Sequence, residues 1–320
     1  MLHGVLLLDK RMGWTSHDVV AWSRRRVGQK RIGHTGTLNP AATGLLPLCL
    51  GDATRLVEYL TGHDKTYEAE IMLGYVSNTY DLDGEVQATA PATSISIKQI
   101  EVVLQKFRGV IQQQAPAYSA IIVQGKRLYQ LARAGIEVEL PVREIEIHAL
   151  ENLKPQEEMY APGSSLSLRI TCSKGTYIRS LAHDIGQELG CGALLKSLKR
   201  TKSGLFKLED AYPMEQVEAV SEFGTLMLKE LIFPLTTAHI GLPWVSIDEQ
   251  EYARLKNGLG IGLETARIKA WESLNKTQPE IITLFGQRLA AITSLKETQS
   301  ECLLKPHKVF AEELIVEGVI

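Results

Sequence analysis

The chain lacks any run approaching the roughly 18 apolar residues that a membrane-spanning helix needs, although 44% of its 320 residues are hydrophobic. It also lacks paired cysteines: Cys49, Cys172, Cys191 and Cys302 are scattered, with neither CxxC nor Cys/His spacing. That scatter points to buried apolar thiols in a reducing cytosol and suggests no metal site. Glycine is plentiful at 26 residues, but no group of them has the spacing of a P-loop or a dinucleotide fingerprint. A secretory leader is missing as well, because the short apolar run Val5–Leu8 is cut off by Asp9 and Lys10. These absences leave a cytoplasmic protein with no membrane segment and no metal.

Strong charge of one sign is absent too. The net charge of −2 argues mildly against a nucleic-acid partner. Its distribution argues the other way. Residues 1–35 hold seven basic residues (Lys10, Arg11, Arg24, Arg25, Arg26, Lys30, Arg31) against Asp9 and Asp18. Residues 194–207 hold Lys196, Lys199, Arg200, Lys202 and Lys207 with no acid, whereas residues 212–320 are acidic on balance. Two basic clusters within a neutral total permit a phosphate-binding face. Read alone, Arg24–Arg26 is equally a solvated helix face.

The chain is long enough for a full core and two domains. Val5–Leu8 reads as a strand, and Thr15 to Asp18 supply caps for a helix running to about Arg26. Turn formers crowd Gly33–Pro40, which reads as a loop. Ala53–Leu60, Ile97–Phe107 and Tyr177–Leu189 read as helices, and the alternation of Tyr67–Leu73 and Leu166–Cys172 as strands. Single strands and helices mixed with hairpins indicate an α+β fold with a largely antiparallel sheet and flanking helices. Pro234 and Gly241-Leu242-Pro243 place a boundary near 240, giving domains 1–240 and 241–320. Short strands are expected beyond it at Ile281–Leu284, Leu289–Ile292 and Cys302–Lys305.

The segment Gly33-His34-Thr35-Gly36-Thr37-Leu38-Asn39-Pro40, with Arg31-Ile32 before it and Ala41-Ala42-Thr43-Gly44 after it, carries the sharpest signal. It closely resembles the catalytic loop of the tRNA pseudouridine synthase B family, except that the family's aspartate is Asn39 here. The resemblance continues in family order through Gly4–Lys10, Asp64–Tyr67, Asn78–Gly84, Pro116–Ala120, Gly125–Tyr129, Cys172–Arg179 and Leu189–Ala193. After Leu205 the match is loose.

The resemblance implies the pseudouridine synthase fold, a PUA-like RNA-binding β domain at 241–320, and an RNA-gripping insertion at about 120–150. It implies an isomerase that flips uridine 55 out of the T loop of tRNA, breaks its glycosidic bond and rejoins the ribose at C5. Substrate and product are isomers, so no cofactor is expected, and neither is a partner beyond the tRNA T stem-loop; a monomer is expected. The family's aspartate acts as nucleophile or base. A carboxamide does neither well, so Asn39 makes this copy inactive. Asn39 is either an inactivating substitution in an intact site or a natural residue of a non-catalytic relative, and the intact surrounding motifs favour the first. Deamidation is disfavoured because Pro40 has no N–H to attack the amide.

By the same resemblance, Tyr67 stacks on the flipped uracil or assists proton transfer, and Arg179 has lost its charge partner at position 39. His34 fills the space the base vacates. Leu198 packs against the base, Lys10 supports the site although Arg11 replaces the usual proline after it, and Asp81 lies close by. Lys126 and Arg127 contact phosphates without reading sequence. Without the resemblance, Tyr67 and Leu198 are core residues, Arg179 a surface arginine, His34 a solvated loop residue and Gly125–Tyr129 a basic helix start. Two rival functions are a non-catalytic RNA-binding or tRNA-folding protein on the same fold, and a guide-directed synthase of ribosomal RNA. Long basic terminal extensions, expected of the latter, are not seen.

Overall fold

In the computed structural model, the apolar run near the N-terminus forms the strand Gly4–Lys10, buried along nearly its whole length. It pairs antiparallel with Thr43–Leu50, so that Val5 faces Cys49 and Leu7 faces Pro47. Its other edge meets Tyr212–Pro213 in parallel and Ile232–Phe233 antiparallel. A strand covered on both edges and both faces carries a continuous apolar run rather than an alternating one. The structure describes residues 1–89, 94–123, 125–154, 158–264, 267–269, 279–297, 302–311 and 314–318.

The chain divides into two compact units. Residues 1–40, 44–62 and 204–320 make the first, and residues 41–43 and 63–203 the second. The boundary expected near 240 falls inside the first unit.

In the first unit, Thr15 caps the helix Ser16–Val27. Its hydroxyl accepts from the Asp18 amide, and the Asp18 carboxylate accepts from the Thr15 amide. Val19, Val20 and Trp22 form the buried face. Gly28 ends the helix at φ 69°, where a side chain would be strained. The expected helix Ala53–Leu60 is instead a 3₁₀ segment, Gly51–Leu56, followed by one α-helical stretch, Val57–Thr61. A five-stranded C-terminal sheet runs in the order Trp244–Ser246, Glu280–Phe285, Arg288–Glu297, Cys302–Val309, Ile261–Leu263. The three strands expected there are all present and somewhat longer than the sequence suggested.

One core serves both parts of this unit. Val5, Leu7, Leu45, Leu56 and Leu60 share it with Ile282, Leu284, Leu289, Ile292 and Phe310. Polar ties reinforce it: Tyr59 donates its hydroxyl proton to Glu280 at 3.1 Å, Arg55 donates to the Val309 carbonyl, and Lys308 pairs with Glu58.

The second unit is built on five antiparallel strands in the order Ala193–Ser203, Lys65–Leu73, Ser165–Cys172, Val142–Asn152, Gly109–Gln114. Lys65–Leu73 alternates strictly between buried and half-buried positions, the signature of a strand with one covered face. The helix Ile178–Glu188 packs on Ala193–Ser203 and Lys65–Leu73, where Gly186 allows close approach: a Cβ there would meet the Ala193 amide at 2.1 Å. The helix Ile97–Lys106 begins with a second capping box, Ser96 and Gln99. The fold is thus α+β with a mixed, largely antiparallel sheet, flanking helices and a C-terminal β domain.

Because Phe310 is fully buried in the shared core, Phe310→Ala is expected to cost about 3–5 kcal/mol, measured by urea denaturation. A loss under about 1 kcal/mol would mean that the C-terminal sheet does not share its core with the N-terminal strands.

Candidate active site

In the first unit, the loop that carries Asn39 is fixed by its neighbours. Ile32–His34 is not loop but a short strand, paired with Leu48–Leu50. Composition alone favoured a turn there; pairing with a buried apolar strand overrides it. The Thr35 amide then donates to the Pro47 carbonyl at 3.2 Å. Leu38 is buried and doubly bonded to Ser16: its amide donates to Ser16 Oγ at 2.8 Å, and that hydroxyl donates to the Leu38 carbonyl at 3.2 Å. The Pro40 carbonyl accepts from the Gly13 amide at 2.8 Å and from Lys10 Nζ at 3.3 Å. Asn39 is therefore a half-buried residue between two anchored ones.

Lys10 is 1% exposed. Its ammonium also donates to the carbonyls of Trp14 at 2.7 Å and Arg11 at 3.0 Å. A buried lysine needs such acceptors, and here they draw the end of the first strand, the turn after it and the Asn39 loop together. His34 Nδ1 accepts from the Gly36 amide at 3.2 Å, and the ring stands edge-on to His17 with centroids 5.6 Å apart.

In the second unit, Arg179 is the hub. It lies in the first turn of the helix Ile178–Glu188, whose start is held by Gln113. The Gln113 side chain donates to the Tyr177 carbonyl at 3.0 Å and accepts from the Tyr177 amide at 2.8 Å. Arg179 is not without a charge partner. Its guanidinium pairs with Asp81 Oδ2 at 3.0 Å and donates to the Tyr118 carbonyl at 2.9 Å and the Thr79 carbonyl at 3.4 Å. Asp81 is buried and Arg179 nearly so, their side chains 8% and 11% exposed. The other Asp81 oxygen accepts from Thr79 Oγ1 at 2.6 Å and from the Asp83 amide at 3.1 Å. Asp81 is thus in direct contact with Arg179, closer than its motif suggested.

Tyr67 is buried on the strand Lys65–Leu73, between Ile170 on one side and Arg200 on the other. Arg200 is 1% exposed and hydrogen-bonds the Tyr67 phenol. Burial pushes the phenol's pKa up, and the guanidinium partly offsets that. Two residues along, burial and then Arg200 push the Lys65 ammonium down to about 8. Leu198 is half-buried opposite Ala69. Lys126 and Arg127 are exposed on a short strand paired with Ile122–Val123, and the helix after them starts only at Leu128. Residue 124 of this insertion lies outside the described residues.

All four cysteines are buried, and burial raises the thiols of Cys49 to about 12 and Cys172 to about 11. Among the described residues no cluster of His, Cys, Asp and Glu could hold a metal ion, and no helix is long and apolar enough to cross a membrane. Sequence reasoning missed Arg200, Lys65, Gln113 and the Tyr118 carbonyl. Arg200 sits in a run of basic residues that reads as part of a phosphate-binding face, and only its register opposite Tyr67 reveals its place.

The loop motif in the first unit and the buried tyrosine and cations in the second are each in keeping with one class, and the comparisons show it: a pseudouridine synthase. Residues 24–178 match the TruB family pseudouridylate synthase N-terminal domain, and residues 179–239 the tRNA pseudouridylate synthase B C-terminal domain. The chain is 41% identical over 310 residues to tRNA pseudouridine synthase B of Geobacillus thermodenitrificans, covering 97% of this chain and all of that protein. It is 46% identical over 258 residues to the protein of the same name from Geobacillus kaustophilus, covering 80% and 90%. Among solved structures, a Cbf5–Nop10–Gar1 complex is similar with a TM-score of 0.73 at 27% identity, covering 96% of this chain and 84% of that one. The chain belongs to the tRNA pseudouridine synthase B family.

Removing one partner of a buried ion pair leaves the other charge stranded, at a typical cost of 3–5 kcal/mol. Asp81→Ala is accordingly expected to destabilise the protein by about 3–5 kcal/mol and Asp81→Asn by less, in chemical denaturation. Equal stability of Asp81→Ala and the parent would show the pair to be solvated.

Proposed function

We propose that the chain is built to isomerise uridine 55 in the T loop of tRNA to pseudouridine, and that Asn39 leaves it able to bind but not to turn over. The observation that carries this reading is the setting of Asn39: a family catalytic loop, anchored on both sides of that residue, with a carboxamide where the carboxylate belongs. The reaction moves one bond. The N1–C1′ glycosidic bond breaks, the detached uracil turns, C5 bonds to C1′, and the C5 proton ends on N1. No atom is gained or lost, so the reaction needs no cofactor.

The residues divide the work. A carboxylate at position 39 acts as nucleophile or base. Tyr67 stacks on the flipped uracil, its ring held by Arg200, and Leu198 packs against the base. Arg179 supplies positive charge beside the reacting nucleotide, and Lys10 holds the loop. His34 occupies the gap the base leaves, which offsets part of the few kcal/mol that flipping costs. Lys126 and Arg127, in the insertion at about 120–150, grip phosphates of the T stem-loop. Residues 1–240 carry catalysis, residues 241–320 act as a PUA-like RNA-binding domain, and the protein works in the cytoplasm as a monomer.

A second reading, a tRNA-binding or tRNA-folding protein without chemistry, is favoured by Asn39 itself. A guide-directed role has less support: similarity to the solved H/ACA RNP structures is 25–26% identity, against 41–46% for the Geobacillus relatives.

Unmodified tRNA incubated with the parent chain should yield no pseudouridine, whereas Asn39→Asp should place it at position 55. Equal turnover by both forms, or none by either, would overturn the catalytic assignment. The parent chain should still bind a T stem-loop, with log K falling linearly in log salt as counterions are released. Binding indifferent to salt counts against a phosphate-gripping surface. Tyr67→Ala should weaken binding by about 1–3 kcal/mol, the worth of one base–aromatic stack.

A further inference from the structure

Tyr80, in the Asn78–Gly84 motif, is the one non-glycine residue with positive φ among the described residues, at 63°. That region is rare for a bulky side chain and persists only where the surroundings impose it. Three contacts impose it here. The Tyr80 amide donates to the Ser77 carbonyl at 3.2 Å, the Tyr80 carbonyl accepts from the Leu195 amide at 2.9 Å, and the ring stacks on His183 with centroids 4.0 Å apart and planes 15° apart.

His183 stands one helical turn after Arg179 on the same helix, and residues four apart share a face. Two consecutive loop residues therefore engage two consecutive turns of one helix face: Tyr80 meets His183, and Asp81 meets Arg179. His183 Nδ1 is buried with no hydrogen-bond partner among the described residues, and burial lowers the pKa of the ring. The Nδ1 edge of the ring is therefore not what holds His183 against the loop. What the ring offers is a flat face for Tyr80.

We propose that Tyr80 and His183 are positioning residues whose stacked rings hold the loop so that the Asp81 carboxylate stays on Arg179, setting the guanidinium for the isomerisation. This rests on the proposed function only for its catalytic consequence. Neither ring touches the reacting atoms; both act through Asp81. Tyr80 turns backward through its left-handed conformation, which sends the ring to His183 and the next side chain to Arg179. With the stack gone, two backbone hydrogen bonds, from Tyr80 to Ser77 and from Leu195 to Tyr80, still hold the main chain, but no ring contact holds the Tyr80 side chain in place.

The test uses the full chain and two readouts. The first is the NMR signal of the Arg179 guanidinium in the parent chain, whose side-chain exchange reports how tightly the group is held whether or not the protein turns over. The second is pseudouridine formation in an Asn39→Asp background. His183→Ala should accelerate Arg179 guanidinium exchange and lower kcat about 10- to 100-fold, the effect expected of a mispositioned group, with KM unchanged. His183→Phe, which keeps a ring to stack on, should restore both readouts. Tyr80→Gly relieves the backbone conformation yet should cause the same two losses, and the double variant Tyr80→Gly/His183→Ala should be no worse than either single one. Unchanged Arg179 exchange in His183→Ala, failure of a folded His183→Phe to rescue, or additive losses would each overturn the proposal. An inactive Asn39→Asp protein would overturn the proposed function instead, and the Arg179 signal would still decide this inference.

Discussion

A positive charge taken out of water must be met by acceptors, and much of this structure is arranged around three that are. Arg179 takes one carboxylate and two backbone carbonyls, and Lys10 takes three carbonyls from two separate turns. Arg200 meets a phenol on the neighbouring strand. Each cation has at least one acceptor distant in sequence, so satisfying it fixes where that segment lies. Lys10 reaches 30 residues ahead to Pro40, and Arg179 reaches back 98 to Asp81. Apolar packing alone tolerates small slides. A buried cation does not, because a misplaced acceptor strands a charge.

The same requirement explains what the sequence disclosed. Motifs stood out where the chain does something unusual: the Asn39 loop, the Asn78–Gly84 turn and the start of the Arg179 helix. Capping at Thr15 and the strict alternation of Lys65–Leu73 were legible because local chemistry fixes both. The strand Ala193–Ser203 was not. Register shifts at Leu195/Ser197 and Arg200/Lys202 break its period, and its lysines read as a phosphate-binding cluster rather than a strand. Arg200 shows the limit most clearly, since a buried arginine is written with the same letter as an exposed one. Its burial follows from the partner strand alone. The partner of Arg179 was likewise hidden, because Asp81 is brought beside it only by folding.

The C-terminal sheet presents a different economy. Small appended β domains commonly carry a core of their own, and this one has part of one, formed by Val245, Leu255, Ile281 and Leu304 among others. Its other face completes the core of the N-terminal strands. Substitutions on the exposed surface of residues 241–320 therefore probe the proposed RNA-binding role better than truncation, which would also remove core.

That shared core sets an order of events during synthesis. Residues 63–203 are nearly contiguous and close their sheet with partners already made. The strands from Gly4 to Leu50 cannot complete theirs until Phe310 and Val316 have left the ribosome. At about 5–20 residues per second, these strands wait roughly 13–50 seconds with an apolar face uncovered. The earlier-made half of this core is thus sealed only by the later-made half.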